Sequence, residues 1–127
     1  MEVHEATEMY LETILILKNR LGLVRSIDVA TEMGYSKPTI SVAMKKFRKE
    51  DLVTVDESGF INLTETGRDI AERIYERHQV LTHILVSLGV SQKNAEQDAC
   101  KIEHDITDET FDALKKLYMK LRNKKEK

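Results

Sequence analysis

The run Gly34-Tyr35-Ser36-Lys37-Pro38 constrains the fold more than any other stretch of the chain. Glycine permits a tight turn, the serine side chain can cap a helix, and proline is tolerated inside a helix only in its first turn. Ser36 can therefore cap a helix that starts here. Ile40, Ala43, Met44 and Phe47 continue it at helical spacing to about Glu50. Ahead of the turn, Ser26 reads as the N-cap of a short helix to Met33 that buries Ile27, Val29 and Ala30. A first helix would run from a Thr7 cap to about Arg20, with Leu11, Ile14, Leu15 and Leu21 as its apolar stripe and Gly22 as its stop. After the capped helix, Leu52-Val53-Thr54-Val55 and Phe60-Ile61-Asn62-Leu63 flank Asp56-Glu57-Ser58-Gly59, which is a hairpin signal. Helix, short helix, turn, helix, hairpin is the order of a winged helix-turn-helix, whose capped helix enters the major groove.

The second half is helical throughout. Thr64 opens a long helix to about Leu88, with Ile70, Ile74, Leu81, Leu85 and Leu88 as its core stripe. Gly67 weakens its first turn without forbidding it. Gly89 stops it, Ser91 caps a fifth helix, and Thr107 or Asp108 starts a sixth with Phe111, Leu114, Leu117, Tyr118 and Leu121 on one face. The expected fold is mainly α, with residues 1–63 as a winged helix-turn-helix and 64–127 as a helical domain. Three amphipathic helices form a thin layer that leaves apolar surface exposed. A homodimer would cover it and would present two recognition helices to a palindromic site.

Charge distribution says more than the net charge of −2. Lys37, Lys45, Lys46, Arg48 and Lys49 fall between positions 37 and 49 with no acid among them, as a phosphate-facing helix requires. A second basic run, Lys120 to Lys127, reads as a solvated tail. The longest apolar run, Ile14-Leu15-Ile16-Leu17, is far too short to span a bilayer. The first residues carry no secretory signal pattern, and one cysteine forms no intrachain disulfide. Cytoplasmic residence, with no membrane partner, is the expectation. No nucleophile with its base and no Gly-rich phosphate loop is present, so neither an enzyme nor a small organic substrate is expected.

Ala99-Cys100-Lys101-Ile102-Glu103-His104 holds the single cysteine, with a carboxylate three residues on and an imidazole four residues on. On an α-helix these side chains would share one stripe with Glu96, a turn earlier. That pattern describes a metal ligand set, and equally a buried thiol beside a solvated Glu/His pair. No Cys-x-x-Cys motif accompanies it.

Thr7-Glu8-Met9-Tyr10-Leu11, Ser36-Lys37-Pro38-Thr39-Ile40-Ser41, Leu63-Thr64-Glu65-Thr66-Gly67, Arg77-His78 and Ala99-Cys100-Lys101-Ile102-Glu103-His104-Asp105 occur here in order. In these segments, over nearly its whole length, the chain resembles the diphtheria toxin repressor and manganese transport regulator family of metal-dependent repressors. The resemblance implies a dimer that binds operator DNA when loaded with a divalent metal, with residues 64–127 carrying metal-binding and dimerisation functions. It places a primary metal site at Met9, Cys100, Glu103 and His104. Glu12 matches a carboxylate ligand of the manganese-sensing branch, so the site is hybrid. An ancillary site would use His78 and Glu96, with Thr82 standing where the family usually has Glu. His83 and His4 are expected at the surface, and the SH3-like third domain of longer relatives is expected to be missing. On the DNA side Ser36, Lys37, Pro38, Thr39 and Ser41 lie in recognition position. Val42 stands where relatives carry a glutamine, and Lys46 and Lys49 stand at phosphate-touching arginine positions.

The function expected is a metal-dependent transcriptional repressor controlling metal homeostasis genes. Thioether and thiolate donors favour Fe²⁺ over Mn²⁺, while Zn²⁺, Co²⁺ or Ni²⁺ would substitute in vitro. The alternative is a winged-helix regulator that needs no metal and responds to an organic ligand or a partner protein.

Overall fold

The computed structural model describes residues 5–125 and divides the chain into two compact units, 1–73 and 74–127. His4, the first three residues and the last two lie outside the described residues. The elements are α1 (Glu5–Leu21), α2 (Ser26–Met33), α3 (Lys37–Lys49), β1 (Val53–Val55), β2 (Ile61–Leu63), α4 (Glu65–Ser87), α5 (Gln92–Ile102) and α6 (Asp108–Lys125). The fold is mainly α, with a winged helix-turn-helix ahead of a helical domain. No helix among the described residues is long and apolar enough to cross a membrane.

In the first unit, α1 begins at Glu5, two residues before Thr7, and Thr7 lies inside the helix, buried, rather than capping it. Gly22, at φ +86°, ends α1 by donating its N–H to the Lys18 carbonyl. The N-cap of α2 is Arg25, not Ser26, because the Asp28 carboxylate accepts the Arg25 N–H at 2.9 Å and fixes the start one residue earlier. Val29 and Ala30 are buried as the spacing requires, but Ile27 is 45% exposed: an eight-residue helix has room for one narrow buried stripe only. Gly34 takes the left-handed conformation, and Ser36 caps α3 by accepting the Thr39 N–H at 3.3 Å. Ile40, Met44 and Phe47 then turn inward, with Phe47 edge-on to Tyr10 at 5.3 Å between ring centroids.

β1 and β2 pair antiparallel with Val53 opposite Leu63 and Val55 opposite Ile61. Asp56 folds the turn by accepting the N–H groups of Ser58 and Phe60, each at 2.9 Å. A third segment joins the hairpin. Ile61 donates its N–H to the Val24 carbonyl at 2.7 Å, and Arg25 bridges to Phe60. Gly67, in the first turn of α4, lies close against the Leu52 backbone at the start of the hairpin. A Cβ there would stand 2.0 Å from the Leu52 carbonyl oxygen, which itself accepts the Thr64 N–H.

In the second unit, Val80, Ile84 and Phe111 form a buried cluster with Ile106, Leu114 and Tyr118 packed against it. Ala95 and Ala99 on α5 are fully buried, and Ser91 and Thr107 cap α5 and α6. The apolar stripes continue past what is covered. Leu88 is 73% exposed, where its spacing predicts core, and Leu117 and Met119 are also exposed.

The Gly67 contact yields a prediction whose sign separates two effects. Helix propensity alone would make Gly67→Ala stabilising by about 1 kcal/mol. The clash with Leu52 backbone should outweigh it and lower the melting temperature, by a net cost of about 1–3 kcal/mol. Thermal denaturation of the variant measures this directly.

Candidate metal centre and nucleic-acid interface

The candidate nucleic-acid face lies on α3. Its buried stripe, Ile40, Met44 and Phe47, turns the opposite side to solvent, where Thr39, Val42, Lys46 and Lys49 share one line along the helix. Ser41, Lys45 and Arg48 form the line beside it, and all seven residues are exposed. Val42 is 71% exposed, an apolar side chain with no covering neighbour of its own unit, suited to a thymine methyl. The Ser36 and Thr39 hydroxyls lie 2.8 Å apart, so part of their hydrogen-bonding capacity is spent on each other and on the cap. Lys37 and Pro38 are exposed at the same end. Arg25 was not foreseen in this region: its guanidinium sits 4.3 Å from the Phe60 ring centre at the base of the wing. The sequence signal was weak, a lone basic residue outside the Lys37–Lys49 cluster.

The expected metal ligands divide between the two units. Met9 and Glu12 belong to α1 in the first. They are three residues apart and therefore on one side of that helix, Met9 half-buried and Glu12 buried. The Met9 carbonyl accepts the Thr13 hydroxyl at 2.8 Å.

The second unit holds Cys100, Glu103, His104, His78 and Glu96. Here the helical-stripe expectation needs correction. α5 ends at Ile102, Glu103 is its C-cap, and His104 lies in the turn that follows. Glu103 still donates its N–H to the Ala99 carbonyl at 2.9 Å, so its side chain stays close to the position a helix would give it. Its carboxylate is completely buried. Oε2 lies 2.9 Å from His78 Nδ1, and Oε1 lies 3.3 Å from Nε2 of His104, whose side chain is also fully buried. With Glu103 ionised its oxygens only accept, so His78 Nδ1 would be the donor and a neutral His78 would carry its lone pair on Nε2. Cys100 is half-buried and shares an open groove with Lys93, Glu96, Gln97 and Lys101. Glu96 is exposed and accepts from Gln92 Nε2 at 3.0 Å. Thr82 is buried, and its hydroxyl has no partner among the described residues. His83 is exposed against Tyr118, ring centroids 5.5 Å apart.

These donors fit a divalent ion. Two ligand atoms about 2.1 Å from one cation, at tetrahedral or octahedral angles, stand about 3.0–3.5 Å apart. The 3.3 Å between Glu103 Oε1 and His104 Nε2 meets that condition. Buried carboxylate with imidazole is also a donor class that first-row divalent metals accept.

Arg77, beside His78 on α4, has no role by spacing alone, yet its side chain is 7% exposed and reaches the same turn. Nη1 donates to the carbonyls of Glu103 at 3.0 Å and Ile106 at 2.8 Å, and Nη2 donates to the Asp108 carboxylate. The sequence pairing Arg77-His78 was the signal available, but it does not say which backbone an arginine will hold.

Known proteins supply an independent line. Residues 2–59 match the family model described as the N-terminal DNA-binding domain of iron-dependent repressors. Residues 64–126 match the model described as the iron-dependent repressor metal binding and dimerisation domain. Transcriptional regulator MntR of Escherichia coli is 33% identical over 87% of this chain and 72% of its own. The diphtheria toxin repressor of Corynebacterium diphtheriae is 28% identical over 83% of this chain and 47% of its own. A solved manganese-dependent transcriptional repressor in complex with manganese superposes with TM-score 0.80 at 25% identity, covering 88% of this chain and 52% of that one. The chain thus spans about half the length of those last two relatives. It belongs to the iron-dependent repressor family of metal-dependent transcriptional regulators, alongside MntR and the diphtheria toxin repressor.

Proposed function

We propose that this chain is a metal-activated repressor that binds operator DNA as a homodimer in the cytoplasm and controls metal homeostasis genes. The observation that carries the reading is the Glu103 carboxylate, sealed from solvent with the His78 and His104 imidazoles at hydrogen-bonding or near-ligand distance. It lies in the segment matched by a metal binding and dimerisation domain. Glu103 and His104, with Cys100 and with Met9 and Glu12 of α1, are the proposed ligands of the activating ion; His78 and Glu96 are proposed for an ancillary one. Drawing ligands from both units, the ion would favour one arrangement of the DNA-binding units over others, and switching requires that it bind that arrangement more tightly. A coupling of about 1–3 kcal/mol suffices for a useful response.

Fe²⁺ is favoured on donor chemistry, because Met9 and Cys100 are soft ligands. The competing reading is Mn²⁺, favoured by the hard Glu12 and Glu103 carboxylates and by the relatives named for manganese. Operator binding under anaerobic conditions, in chelator-stripped protein and after adding Fe²⁺, Mn²⁺, Co²⁺ or Zn²⁺, decides both effector and mechanism. The expected result is tight binding only in metal, strongest with Fe²⁺. Equal binding with and without chelator would instead favour a regulator that needs no metal.

On the DNA side, Ser36, Lys37, Pro38, Thr39, Ser41 and Val42 are proposed to face bases and nearby phosphates, and Lys46 and Lys49 to neutralise phosphates. Lys46→Ala should weaken binding alike on operator and unrelated DNA, and reduce the slope of log affinity against log salt by about 1. A loss confined to the operator in a salt titration would make Lys46 a base reader.

His104→Ala should keep the helical circular dichroism of the parent and lose metal-stimulated DNA binding by at least about tenfold. Undiminished metal stimulation in that variant would remove His104 from the site.

A further inference from the structure

We propose that Arg77 is a positioning residue for the metal centre, which fixes the turn from which Glu103 and His104 are presented. The inference rests on the reading of those residues as ligands. Consecutive residues of α4 hold opposite ends of Glu103: Arg77 takes its backbone carbonyl, and His78 takes its carboxylate. The last carbonyls of a helix have no partner within it, and the end of α5 is buried here. One guanidinium supplies a partner for the Glu103 carbonyl and the Ile106 carbonyl, then reaches the Asp108 carboxylate at the start of α6. The face of Phe111 lies 5.3 Å from the guanidinium carbon and closes the remaining side. The group thus spans the end of α5, the turn and the first residue of α6, three points that bracket His104.

A buried guanidinium is strongly disfavoured unless its donors are met. Nη1 and Nη2 are met by these acceptors, while Nε has no partner among the described residues, so the hold on the turn comes from the two outer nitrogens. Ligand geometry tolerates displacements of only about 0.5 Å, which makes the backbone holding the ligands as consequential as the ligands. Arg77 bonds to the Glu103 and Ile106 carbonyls and the Asp108 carboxylate, and not to the Glu103 carboxylate or the His104 imidazole. Its effect on metal is therefore indirect. Lysine keeps the charge, but a single ammonium cannot span acceptors in three places as the planar fork does.

The test uses the full chain as wild type, Arg77→Lys and Asp108→Asn, with Co²⁺ as the probe. Three quantities are read: Co²⁺ affinity by titration, the visible absorption of the saturated complex, and the melting temperature of metal-free protein. Arg77→Lys is expected to bind Co²⁺ about 10–100-fold more weakly, with altered absorption at saturation, as outer-shell changes produce. Asp108 is exposed, so Asp108→Asn will fold; it is expected to weaken Co²⁺ by about two- to fivefold by loosening one of the three tethers. A lower melting temperature with unchanged affinity and spectrum would overturn the proposal, since a merely structural arginine behaves that way. If Arg77→Lys does not fold, wild-type affinity in Asp108→Asn overturns it by itself. Wild-type protein that binds no Co²⁺ would instead defeat the metal-activation reading, before any substitution is compared.

Discussion

Keeping the Glu103 carboxylate away from water governs how the second unit is arranged. A buried ionised carboxylate costs several kcal/mol unless hydrogen-bond donors or cations surround it. Here both oxygens approach imidazoles, one from α4 and one from the turn after α5. Meeting that requirement brings the end of α5 against the middle of α4. Arg77 then anchors the exposed end of the same turn to α6. A cluster of this kind contributes little to stability for what it costs. The proposed metal site would give the cluster a role, since a cation needs such donors.

The first unit is organised around a different constraint, the close passage of backbones. Gly67 admits the Leu52 carbonyl into the first turn of α4, and the Val24 carbonyl takes the Ile61 N–H, so the hairpin is tied on both sides. The wing is therefore not an isolated two-stranded ribbon, which would be marginal in water. With α3 held by Ile40, Met44 and Phe47, the basic and hydroxyl-bearing side is left uncovered. That anchoring would matter for base recognition, which depends on a few side chains placed in register.

Leu88, Leu117 and Met119 are large apolar side chains left open in the second unit. Exposed singly such residues need no explanation, but they lie on helices matched by a dimerisation domain. The proposed homodimer would cover stripes that continue beyond the unit's own core. The same account explains why the periodicity of Leu85 and Leu88 looked like core: periodicity reports that a face is apolar, not what covers it.

Local sequence was enough to set the element order, the caps at Ser36 and Ser91, the glycine stops at 22 and 89, the turn at Gly34 and the basic side of α3. Those features depend on neighbours within four residues along the chain, where residue type and local geometry are tightly linked. The resemblance carried in Met9, Glu12, Cys100, Glu103 and His104 pointed to the metal chemistry, and helical spacing placed three of them near one another. Tertiary structure decided what spacing could not. It ended α5 at Ile102, moved the start of α2 to Arg25, turned Gly67 from a tolerated defect into a requirement, and joined His78 to Glu103 across 25 residues of sequence. It also gave Arg77 its carbonyl partners on α5 and in the turn beyond. Such contacts form between segments whose approach is set by packing, and no local pattern in the chain encodes which backbone will arrive at a given side chain.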